Sequence, residues 1–64
     1  MKRIREDKYF NHPGKHAYDV YAYVAGSSNE QIIFDNVCAN NRDQAARIVE
    51  RDGHRVVSVN MVGF

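Results

Sequence analysis

Tryptophan is absent from this chain, and cysteine and proline occur once each, at Cys38 and Pro13. One cysteine can close no intrachain disulfide, and small secreted domains usually carry several, so the sequence predicts a reducing, cytoplasmic setting. Long apolar runs are also missing. Nothing approaches the ~20 residues that a membrane helix needs, and Met1-Lys2-Arg3 leads into charge rather than a secretory signal's apolar segment. No membrane partner is expected. The glycines, at 14, 26, 53 and 63, stand apart, so no phosphate-cradling loop exists. Neither sign of charge dominates. Nine basic residues meet eight acids for a net of +1, which removes any global electrostatic case for nucleic acid.

What is present fits one domain. A chain of 64 residues buries a small share of its surface, so its core is thin: about one helix on one small sheet. An apolar share of 44% argues against global disorder. Charge is unevenly spread. Residues 1–17 hold five basic side chains against two acids, a net of +3, and residues 18–64 hold four arginines against six acids, a net of −2. This divides the chain into a basic N-terminal arm, 1–17, and a small α+β domain, 18–64. The arm has no clean period. Pro13-Gly14 marks a turn in it, and Tyr9 and Phe10 are the residues with which it would dock on the body.

The body begins with the clearest strand, Tyr18 to Ala25. Val20, Ala22 and Val24 alternate with Tyr21 and Tyr23. Gly26-Ser27-Ser28-Asn29 reads as a hairpin loop. A second strand follows at about Gln31 to Ala39, interrupted at Asp35-Asn36 as by a bulge, and the pattern leaves its buried face open. Asn40-Asn41 can cap a helix, and Asp43 suits its positive end. That helix runs from about Arg42 to Asp52, with Ala45, Ile48 and Val49 as its apolar stripe and Gly53 as its terminator. The last strand, Arg55 to Val62, is rich in valine.

These elements predict a β-β-α-β fold: a three-stranded antiparallel sheet of order 2-1-3 with one helix on one face. The expected core is Val20, Ala22, Val24, Ala45, Ile48, Val49, Val57, Val59 and Met61. No helix remains for the second face, which would carry Tyr21 and Tyr23, with Val56, Ile32 and Phe34. An uncovered apolar face on a small protein is a place to bind; the arm folding back through Tyr9 and Phe10 is the plain alternative. The final strand, uncharged after Arg55, is also an edge open to pairing with another strand.

Chemistry is harder to find. His12, His16, His54 and Cys38 are metal-ligating types, but their spacing does not match a structural zinc site. Cys38 has no basic neighbour to lower its pKa. Asp35, Asp43, Glu50 and Asp52 form no evident acid–base pair. No catalytic residue, metal or cofactor is assigned, and the chain reads as a binder rather than an enzyme. Tyr21 and Tyr23 could stack unpaired bases while the arm holds phosphates, although the body is acidic and holds no dense basic cluster.

The runs Tyr21-Ala22-Tyr23-Val24, Ala39 to Val49 and Gly53 to Val59 together resemble, in length and element order, the small bacteriophage-encoded inhibitors of bacterial RNA polymerase. More loosely, they are similar to small cytoplasmic domains of type II secretion and pilus assembly proteins, whose transmembrane helices find no match here. The resemblance implies that a free-standing domain of this size can inhibit a host machine by binding it. It carries over no individual site residue. The expected function is therefore a protein-binding module, such as a phage or mobile-element inhibitor of a host machine. Its docking residues would be Tyr21, Tyr23, Phe34, Val56, Arg3 and Arg5. A second copy of the chain is another occupant for that surface, and sheet-face binding of single-stranded nucleic acid is the alternative function.

Overall fold

The computed structural model describes residues 2–24, 26 and 30–63. Its elements are β1 (Lys2–Ile4), α1 (Asp7–Phe10), β2 (His16–Tyr23), β3 (Gln31–Ala39), α2 (Arg42–Glu50) and β4 (Arg55–Gly63). They build one four-stranded sheet in the order β1-β3-β2-β4. β2 is antiparallel to both β3 and β4, whereas β1 runs parallel to β3. The class is α+β, and β2 lies between β3 and β4. Two features correct the expected three-stranded antiparallel sheet with one helix: the sheet is mixed and has a fourth strand, and there is a second helix. Both additions come from residues 2–10. Of the loop expected at residues 26–29, Gly26 is described, at φ +80°; Ser27, Ser28 and Asn29 lie outside the described residues.

Each strand's register follows from where it breaks. Val20 faces Phe34 and Tyr18 faces Val37, so β3 carries one residue more than β2 between those pairs. The extra residue sits at Asp35-Asn36, and Asn36 takes φ +54°, a left-handed conformation that Asn tolerates better than most residues. The bulge reverses the alternation. Ile32 and Phe34 precede it and Val37 and Ala39 follow it, and all four share the core face. This is why simple alternation could not choose a buried face for β3.

β4 is broken in the same way. Tyr21 faces Ser58 while Ala22 faces Val56, which leaves Val57 as an extra residue; a second shift leaves Val62 extra between Met61 and Gly63. Val56 and Val59 therefore turn to the core. Val57 and Met61, expected inside, are 52% and 58% exposed. The other expected core residues are placed as read: Val20, Ala22, Ala45 and Val49 are buried, and Val24, Ile48 and Val59 pack at the margin.

α2 starts where two side chains each accept a hydrogen bond from a backbone N–H. The Gln44 N–H donates to Asn41 Oδ1 at 2.8 Å, and the Asn40 N–H donates to Gln44 Oε1 at 2.6 Å. The first-turn amide of Gln44, which would otherwise lack a partner, is thereby satisfied. Ala45 and Val49 then face the sheet with no exposed surface. The helix is followed by Gly53 at φ +91°, whose N–H donates to the Glu50 carbonyl at 2.9 Å.

α1 has four residues, too few to persist alone. It is held by Tyr9, whose ring meets Phe34 edge-on with centroids 5.3 Å apart. The Tyr9 hydroxyl donates to Asp52 Oδ2, and Lys8 Nζ lies 2.9 Å from the same oxygen. Both helices thus lie on one side of the sheet. Tyr9 docks there, and not on the opposite face. Phe10 stays exposed under the Arg5 guanidinium, 4.7 Å from its ring centroid.

This link carries a pH signature. Burial, with the Asp52 carboxylate second, pushes the Tyr9 phenol well above its usual value. The hydrogen bond from Tyr9, with Lys8 second, holds Asp52 below the usual carboxylate range. A raised phenol stabilises the fold below its unfolded value of about 10, and that contribution is lost as the pH rises further. The lowered carboxylate acts in the other direction. Its contribution is present above an unfolded value of about 4 and is lost as the pH falls through the folded value. Urea midpoints measured between neutral pH and pH values above about 10 are expected to fall more steeply for the wild type than for Tyr9→Phe. Parallel curves would show that Tyr9 is not the responsible group.

Candidate interaction face

The side of the sheet away from the helices is built in rows, because paired residues on neighbouring strands point the same way. One row is Gln31, Tyr23 and Arg55; the next is Arg3, Ile33, Tyr21 and Ser58. Asp19 pairs with Asn60 in a third row, beside Asp35 at the bulge. Cys38 and Ala17 follow. Tyr21 and Tyr23 are half-buried, and neither belongs to the core cluster. The Arg55 guanidinium lies 5.8 Å from the Tyr23 ring centroid, within the range of a cation–π contact.

Arg3 ties the face together. It lies 3.2 Å from Asp19 and forms a closer ion pair with Asp35. Its pKa is raised, chiefly by the hydrogen bond to Asp19. One guanidinium against two carboxylates leaves the middle of the face with an excess of one negative charge. Of the arm's five cations, Arg3 is engaged by these carboxylates within the protein.

The six residues expected to dock a partner are divided by the fold. Tyr21, Tyr23 and Arg3 come together on the open face. Phe34 and Val56 are placed on the opposite side: Phe34 is 2% exposed beneath Tyr9, and Val56 packs on the core opposite Ala22. The bulges put them there by shifting the alternation of β3 and β4. Arg5 lies beyond β1 against Phe10. Asp19 and Asp35 also belong to this face. The local sequence gives no sign that Arg3 reaches them, because that depends on β1 pairing with β3.

At the rim, Val57, Met61 and Val62 of edge strand β4 are 52%, 58% and 50% exposed. The nine-residue β4 carries no charge after Arg55. Its two bulges disturb the row of edge amides and carbonyls, a common means of discouraging strand addition. The edge therefore offers side chains more readily than a backbone ladder.

The histidines and the cysteine go to separate places. His54 sits 4.9 Å from Phe34, His16 lies edge-on to Tyr18, and His12 Nδ1 is 3.0 Å from the Pro13 carbonyl. Cys38 is buried, its Sγ 3.9 Å from the Asn36 carbonyl. No three His, Cys, Asp or Glu side chains converge as a metal site among the described residues. No helix among them is long and apolar enough to cross a membrane. Comparison with protein-family models, curated proteins and solved structures finds no match.

Proposed function

We propose that this protein is a small protein-binding module that docks through the open face of its sheet, centred on Tyr21 and Tyr23. The observation that carries the reading is the placement of both helices on one side, which leaves two half-buried tyrosines facing outward between Arg55 and the Arg3–Asp19–Asp35 cluster. Tyrosines with apolar bodies and polar tips are among the side chains that most often dominate protein interfaces. The face holds no cluster of free cations, since Arg3 is paired with Asp19 and Asp35 and Arg55 lies against Tyr23, whereas binding to a phosphate backbone rests on many unneutralised cations. Protein is therefore favoured over single-stranded nucleic acid. The resemblance of residues 21–24, 39–49 and 53–59 to the phage inhibitors in length and element order makes a host machine, bacterial RNA polymerase first, the partner to try.

Tyr21→Ala combined with Tyr23→Ala is expected to weaken binding to purified bacterial RNA polymerase by at least about 2 kcal/mol, roughly thirtyfold in Kd. The variant should still melt cooperatively, because neither ring belongs to the core cluster. A binding titration and a circular-dichroism melt on the same sample test both parts. Unchanged affinity would remove the face from the interface. Absence of wild-type binding would remove this partner.

A further inference from the structure

A groove on the helix side of the molecule has no place in that reading. Its larger part, about 360 Å³, lies along α2 and includes Gln44, Arg47, Ile48 and Arg51, with His12 across from them. A second hollow of about 170 Å³ shares His12, Ile48 and Arg51 and reaches Lys8 on α1. The two hollows are therefore adjacent.

The charges in this groove are not settled internally. Lys8 is engaged by Asp52 at 2.9 Å. Arg47 and Arg51, one helical turn apart, make no ion pair among the described residues, even though Asp43 stands one turn before Arg47 on α2. Both guanidiniums are exposed, and half-buried Ile48 lies beside them. A guanidinium presents a planar fork that matches a carboxylate with two parallel hydrogen bonds. Two such forks beside an aliphatic side chain suit a ligand that joins carboxylates to an apolar group. Counting Lys8, Arg47 and Arg51 against Asp43 and Asp52 leaves an excess of one positive charge. That is enough to orient a short acidic segment and too little to hold a nucleic-acid backbone through many phosphates.

We propose that the α1–α2 groove binds a short acidic peptide segment carrying an apolar side chain, with Arg47 and Arg51 receiving its carboxylates and Ile48 its apolar group. The site lies across the sheet from Tyr21 and Tyr23, so it does not depend on the open face being used.

The probe is a fluorescein-labelled synthetic peptide of alternating Glu and Leu, followed by fluorescence anisotropy at low salt. Wild-type protein is expected to bind it. Arg47→Ala with Arg51→Ala should weaken binding by about tenfold or more, and Tyr21→Ala with Tyr23→Ala should leave it unchanged. In a charge-swapped pair, Arg47→Glu with Arg51→Glu should instead prefer a second labelled peptide in which Lys replaces each Glu. Circular dichroism confirms that each variant is folded. Equal binding by the Arg47→Ala/Arg51→Ala protein, or no wild-type binding, overturns the proposal. So does displacement of the peptide by inorganic phosphate or oligothymidylate as readily as by unlabelled peptide, which would mark a general anion site.

Discussion

Phe34→Ala is expected to destabilise the protein by about 3–5 kcal/mol, and to leave little folded material at physiological temperature. The ring is 2% exposed. It lies beneath Tyr9 at 5.3 Å and beside His54 at 4.9 Å, in one row with Ile4 and Val20. Removing it would open a void between β3 and α1, and α1 is too short to stay in place without Tyr9 packed down. Small domains have about 5–15 kcal/mol in all, so the loss is a large share of the total. Urea unfolding measures it. If Phe34 instead stood on an open docking face, the midpoint would move by about half a kcal/mol or less. The two placements are thus separated by stability alone, with no partner needed.

Gly14→Ala is expected to cost about 1–3 kcal/mol, which for a domain of this size is roughly 4–8 °C in Tm per kcal/mol. Gly14 is exposed by area, yet a Cβ there would lie within 3.0 Å of the backbone N, Cα and C of Ala39. Backbone cannot swing aside as a flexible side chain does, so the turn or the end of β3 must move. Such movement disturbs more than the turn. The Lys15 N–H donates to Asn40 Oδ1 at 3.2 Å, and the Asn40 N–H in turn donates to Gln44 at the start of α2. Amide spectra of the variant should therefore show shifts at Asn40 and Gln44 along with a lowered melt. An unchanged melt would mean that the turn can yield, and that the Gly14–Ala39 approach is not a constraint on the fold.

The parts of this fold that were legible in the sequence are those with a long, unbroken period. Val20, Ala22, Tyr21 and Tyr23 show the two faces of β2 directly. Ala45, Ile48 and Val49 show the inner stripe of α2, and Asn41 and Gly53 mark its two ends. Asp35-Asn36 was visible as an interruption of β3, but a bulge announces only that the alternation slips. It does not say which side is buried, and for that reason Phe34 is expected on the open face but lies in the core. In β4 the extra residues Val57 and Val62 are valines among valines, so nothing in the local sequence marks the slip that turns Val56 inward. β1 is three residues long and pairs with residues some thirty positions away. Its formation depends on β3 being in place and on Arg3 meeting Asp19 and Asp35, which no local pattern encodes. The candidate face was therefore half visible. Its tyrosines followed from alternation, and its charges required the topology.

Capture from a bacterial lysate, with and without nuclease, tests the central claim of protein binding through Tyr21 and Tyr23 most directly when wild type and the Tyr21→Ala/Tyr23→Ala variant are compared side by side. The account predicts that wild-type protein retains one stoichiometric protein after nuclease treatment and that the variant loses it while still folded. Retention that vanishes with nuclease, or that is equal for the two proteins, would contradict it.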